Sequence, residues 1–99
     1  MTWITFERSG GFLGHSIHVN LDLDTIPAQE ALRLLQQIQR SDFFNLPQNL
    51  AVQSGPDEFL YAITVETGSS KHSIRTTDTT MPESLRPMVD TLSTIAIFS

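Results

Sequence analysis

From His15 onward, Ile17, Val19, Leu21 and Leu23 fall on one side of the chain, and Ser16, His18, Asn20, Asp22 and Asp24 on the other. A period of two puts those apolar residues on one face of a strand, whereas a helix would scatter them around its axis. Such a half-covered strand requires sheet partners and a second layer over its apolar side. The preceding run, Trp3 to Ser9, sets Ile4 and Phe6 against Thr5 and Glu7 in the same way and supplies the first partner.

The two runs are joined by Ser9-Gly10-Gly11-Phe12-Leu13-Gly14. Glycines give a short hairpin link access to positive φ. Phe12 and Leu13, however, stand where a hairpin normally carries polar turn residues. Two readings of the pair stand: it folds back to cap the core, or it docks into a partner's pocket, since clustered apolar groups at the surface need a reason.

After Pro27, which suits the first turn of a helix, the spacing changes to 3.6. Ala28, Ala31, Leu32, Leu35 and Ile38 form a stripe, with Arg33, Gln36, Gln37 and Arg40 mostly away from it. The helix ends near Ser41-Asp42. Phe43, Phe44 and Leu46 are expected to plug its end, and Pro47 blocks continuation. Gln48–Asp57, containing Ser54-Gly55-Pro56, reads as a surface loop. Phe59, Tyr61, Ile63 and Val65 define a third strand, Thr67-Gly68-Ser69-Ser70 a turn, and His72, Ile74 and Thr76 the face of a fourth. Thr79-Thr80-Met81-Pro82-Glu83 carries an N-cap candidate. A last helix then buries Leu85, Met88, Val89, Leu92, Ile95 and Ala96, with Pro87 in or just beyond its first turn.

The order ββαββα packs most simply as a two-layer α+β domain: a four-stranded antiparallel sheet with both helices on one face. The 99 residues, 39% of them apolar, suit one domain spanning 1–99 with a single core. The first helix matches the second strand in length, which predicts that it runs back toward the Gly10–Gly14 tip. The Asn45–Glu58 loop would then start on the same edge and complete a composite binding surface.

Cysteine is absent, which excludes disulfides and thiolate metal sites. No leader segment is visible and no apolar run approaches the ~18 to 20 residues of a membrane span, so the expectation is a soluble, cytoplasmic chain. With a net charge of −5 and Lys71 as its one lysine, the chain has no basic stripe for nucleic acid.

The sequence also lacks a catalytic constellation. His15 and His18 are three apart in a strand and point to opposite faces. His72 shares the apolar face with Ile74 and reads as a structural, hydrogen-bonded residue. Glu7, Asp22 and Glu66 gather on the polar sheet face, where carboxylates are seldom catalytic. No zinc-protease, hydrolase or phosphate-loop motif occurs. A binding module is the class that remains.

Five segments, in order, resemble the emfourin family, small bacterial proteins that inhibit thermolysin-like zinc metalloproteases such as protealysin. They are Arg8-Ser9-Gly10-Gly11-Phe12-Leu13-Gly14, Asp42-Phe43-Phe44-Asn45-Leu46-Pro47, Asp57-Glu58-Phe59-Leu60-Tyr61-Ala62-Ile63-Thr64-Val65-Glu66, His72-Ser73-Ile74-Arg75 and Met81-Pro82-Glu83-Ser84-Leu85-Arg86-Pro87. The resemblance implies a non-catalytic monomer with no cofactor of its own, whose partner holds zinc beside an apolar specificity pocket. On that reading Ser9, Gly10, Gly11, Phe12, Leu13 and Gly14 enter the protease cleft with Phe12 or Leu13 as anchor. Asp57 and Glu58 widen the footprint and offer an oxygen to the zinc. The alternative is an interaction or homodimerisation module using the outer sheet face, where Trp3 lies unless it packs on a chain end such as Phe98.

Overall fold

The computed structural model describes residues 1–10, 16–51 and 58–98. Four strands, β1 (Trp3–Gly10), β2 (Ile17–Asp22), β3 (Phe59–Glu66) and β4 (Lys71–Thr77), form one sheet in the order β2-β1-β3-β4 with every neighbouring pair antiparallel. Helices α1 (Ala28–Ser41) and α2 (Arg86–Phe98) complete the expected ββαββα order. Short 3-10 turns at Phe43–Asn45 and Glu83–Leu85 lead out of α1 and into α2.

The alternation predicted from sequence sets the registers. Ile4 lies between Leu21 and Val65, and Phe6 between Val19 and Ile63. Ile74 continues that row opposite Ile63. These side chains are buried under Leu34 and Ile38 of α1 and Met88, Val89, Leu92 and Ala96 of α2, with Phe43 and Leu85 sealing the core from the two 3-10 turns. Each such side chain contributes roughly 1.5–3 kcal/mol of transfer free energy.

Helix α1 departs from the expected stripe. Its buried residues are Leu34, Ile38 and Ser41, while Leu32 is 57% and Leu35 40% exposed. Gln37, expected to face away, is half-buried and its Nε2 donates to Thr91 Oγ1 of α2 at 3.0 Å. The chain carries two overlapping apolar stripes, and the one turned inward is that of Leu34 and Ile38. Ser41 is tolerated inside because its hydroxyl donates to Ile38 O at 3.0 Å.

The exit of α1 also differs from expectation. Phe43 is buried and meets the His72 ring edge-on at 5.7 Å, and Leu46 packs against the core, but Phe44 is 38% exposed, so the plug is Phe43 and Leu46 without Phe44. His72 pairs with Val65, next to the Glu66–Lys71 pair at the end of the sheet away from Gly10. Helix α1 therefore crosses the sheet from the β2 side to the β4 side and delivers the chain to the end opposite the hairpin tip. Matched lengths had suggested a return along β2, but length does not fix a crossing angle. From there residues 46–50 run up the outer side of β4, where the Arg75 amide donates to Gln48 O at 2.9 Å and the Leu50 amide to Arg75 O at 2.7 Å. This segment satisfies backbone groups that an edge strand would leave open.

The expected threonine N-cap is likewise replaced. Pro82 precedes the 3-10 turn without a side-chain cap. Thr80 Oγ1 instead accepts from the Thr77 amide at 3.0 Å, closing the end of β4.

Candidate functional site

The residues singled out from the sequence divide into those described and those not. Gly11, Phe12, Leu13, Gly14 and Asp57 lie outside the described residues, as do His15 and most of the predicted Gln48–Asp57 loop. Ser9, Gly10 and Glu58 lie within them. Ser9 and Gly10, expected in the hairpin tip, are the last residues of β1, paired with Leu60 and Phe59 of β3. Gly10 has φ +83, and a Cβ placed on it would stand 3.0 Å from Glu58 O. Gly10, the last residue of β1, and Glu58, which precedes β3, thus lie side by side at one end of the sheet. The predicted Asn45–Glu58 loop begins at the other end, so only its return shares this edge.

Around Gly10 and Glu58 lies a set of contacts that sequence reading missed. The Arg8 guanidinium lies 4.2 Å from the centroid of the Phe59 ring, within the range of a cation–π contact. Phe59 in turn packs at 6.3 Å from the ring of Tyr61, and Tyr61 at 6.2 Å from Phe6 of the core. Tyr61 Oη donates to Asp78 Oδ1 at 2.8 Å, and the Phe59 amide donates to Asp78 Oδ2 at 3.4 Å. Arg86, opening α2, holds Asp78 through its carboxylate at 3.5 Å and its carbonyl at 3.0 Å. The Thr79 amide donates to Glu58 Oε1 at 3.2 Å. Burial, and then the bond to Asp78 and its charge, push the Tyr61 phenol from 10.0 up to about 12. The β1–β3 register brings Arg8 and Phe6 to Phe59 and Tyr61, whereas Asp78, Thr79 and Arg86 reach them only through the β4–α2 connection, which no spacing signals.

The remaining candidates behave as scaffold. His72 Nε2 lies 2.7 Å from Leu46 O and donates to it, since a carbonyl can only accept. His18 is exposed and pairs with Glu7 across β1–β2. Asp22 and Glu66 flank Trp3 in the registers, with Glu7 four residues along β1 and apart from them. Among the described residues no group of three or more His, Asp or Glu side chains is placed to hold a metal ion. Likewise no helix there is long and apolar enough to cross a membrane. Trp3 is 41% exposed beside a shallow depression of about 530 Å³ lined by Met1, Thr5, Asn20, Glu66, Thr67 and Gly68. Phe98, 83% exposed, is not among the residues of that depression.

Fold and site together define a small α+β domain in which the end of β1 and the start of β3 are braced at one end of the sheet by the β4–α2 connection. The Emfourin family model matches residues 6–93, nearly the whole chain, and the chain belongs to the Emfourin family. Membership implies a metalloprotease-inhibitor role in general, which is a binding role rather than a catalytic one. No curated protein and no solved structure was found to match the chain.

Proposed function

We propose that this protein inhibits a thermolysin-like zinc metalloprotease by placing the Gly10–Gly14 tip in the active-site cleft, with Phe12 or Leu13 seated in the apolar specificity pocket beside the metal. The loop ending at Glu58 widens the contact. The observation that supports the reading is the approach of Gly10 to Glu58 O, which sets the residue before the tip beside the residue that enters β3. A loop set on a paired strand keeps its bound geometry and loses less entropy on association. Cleavage requires an extended segment across the cleft, which a tip anchored at Ser9 and Gly10 by the β1–β3 ladder does not readily present.

The test is titration of the purified chain into a thermolysin-like protease hydrolysing a small fluorogenic peptide, with an unrelated serine protease alongside. Selective, saturable loss of metalloprotease activity is expected. Absence of inhibition across several such enzymes would refute the reading.

A further inference from the structure

Glu58, Phe59 and Tyr61 of the candidate edge are all held from one place, the short connection between β4 and α2. Asp78 sits at its start, one residue past Thr77. One carboxylate oxygen takes the Tyr61 hydroxyl at 2.8 Å and the other takes the Phe59 amide at 3.4 Å. The neighbouring Thr79 amide engages Glu58 Oε1 at 3.2 Å. Arg86 anchors Asp78 to the first turn of α2 by side chain and carbonyl. Phe59 stands opposite Gly10, so the chain of contacts runs from α2 through Asp78 to the last residue of β1.

The Asp78 and Arg86 side chains are 36% and 41% exposed, so their pairing in solvent adds little to global stability. What a carboxylate at this point supplies is direction: two acceptor oxygens that fix the first amide of β3 and the ring two residues on. Apolar packing would cover the same ground without setting that orientation.

We propose that Asp78 is the positioning residue of the inhibitory edge, holding Glu58 and Phe59 beside Gly10 so that this end of the sheet meets the protease in a fixed geometry. This rests on the proposed inhibitory role.

The experiment compares inhibition constants for the wild-type chain, Asp78→Asn, Tyr61→Phe, the core control Ile38→Val and the tip variant Phe12→Ala against one thermolysin-like protease. Thermal midpoints and amide exchange at Phe59 and Thr79 are read alongside. Asp78→Asn keeps the side-chain shape but removes the charge and one acceptor oxygen, so that if Oδ1 still takes the Phe59 amide, Nδ2 can meet Tyr61 Oη only as a donor and the charge-assisted bonds are gone. It is expected to raise the inhibition constant about tenfold, the worth of one hydrogen bond to a charged group, and to speed exchange at Phe59. Tyr61→Phe, which removes one oxygen, is expected to move both readouts in the same direction. Ile38→Val should lower the midpoint and leave the inhibition constant alone, which separates positioning from general destabilisation. An unchanged inhibition constant or unchanged Phe59 exchange in Asp78→Asn, with Phe12→Ala still impaired, overturns the positioning role and leaves the inhibitory reading standing. Wild-type chain that inhibits no such protease overturns both.

Discussion

Gly10 and Glu58 leave no room for a side chain between them: with φ at +83 in Gly10, a Cβ placed there would stand 3.0 Å from the Glu58 carbonyl oxygen. Neither atom belongs to a flexible side chain, so the contact cannot be relieved by rotating something away. Gly10→Ala therefore carries two penalties, a left-handed backbone for an L-residue and displacement of β3 from β1. A loss of about 1–3 kcal/mol is expected in denaturant unfolding. Gly68, which has nothing within 4 Å of its Cβ position, is the control. Equal stability of the Gly10→Ala and Gly68→Ala variants would mean that the edge is not closed in this way.

Tyr61 gives the domain a defined alkaline limit. Burial, reinforced by the Asp78 bond and charge, raises its phenol from 10.0 in the unfolded chain to about 12 in the fold. The folded state thus favours the protonated form. That preference contributes its full stability below pH 10 and is lost as the pH rises from 10 toward about 12. Thermal midpoints should fall across this window, and less steeply in Tyr61→Phe, which has no phenol to ionise. At neutral pH the same variant should lose about 1 kcal/mol with the hydroxyl's bond. Because the chain has one tyrosine, phenolate absorbance reports Tyr61 alone. A midpoint near 10 in the folded protein would contradict the arrangement.

The leucines of α1 test which of two stripes is real. Leu34 is fully buried and Leu32 is 57% exposed. Leu34→Ala should cost about 2–5 kcal/mol, whereas Leu32→Ala should stay within about 0.5 kcal/mol. Comparable losses at both positions in urea titrations would show that the helix sits in the other rotation.

That pair of residues also marks where the sequence stopped being informative. Period-two alternation in β1 to β4 admits one assignment, because shifting a strand by one residue turns its whole apolar set outward. The strands and the helix-covered face were therefore readable from residues alone. In α1, with leucines at 32, 34 and 35, the pattern satisfies two rotations, and the one adopted buries Leu34 and sets Gln37 against Thr91 of α2, far away in the chain. The path of α1 across the sheet was hidden for the same reason: it ends where Phe43 finds His72 and where residues 48–50 can cover β4. At the candidate site, Gly10 was legible as a backbone requirement. The Asp78 brace was not, since its partners Phe59, Tyr61 and Arg86 meet only after β3 and the β4–α2 connection come together.

Phe12 and Trp3 separate the two ways this domain could engage a partner. If the tip seats an anchor in the specificity pocket, Phe12→Ala removes a central buried contact, and truncating such an anchor typically costs ~2 kcal/mol or more. Inhibition should weaken by at least ~30-fold. Trp3 belongs to the Asp22 and Glu66 end of the sheet, whereas Gly10 lies at the Phe59 end. Trp3→Ser should therefore leave the inhibition constant within a few-fold of wild type. An outer-face interface predicts the reverse: a mass that falls on dilution in the wild type, a dimer abolished by Trp3→Ser, and indifference to Phe12→Ala. Inhibition assays and concentration-dependent sedimentation on the same two variants decide between them, because no single surface accounts for both patterns.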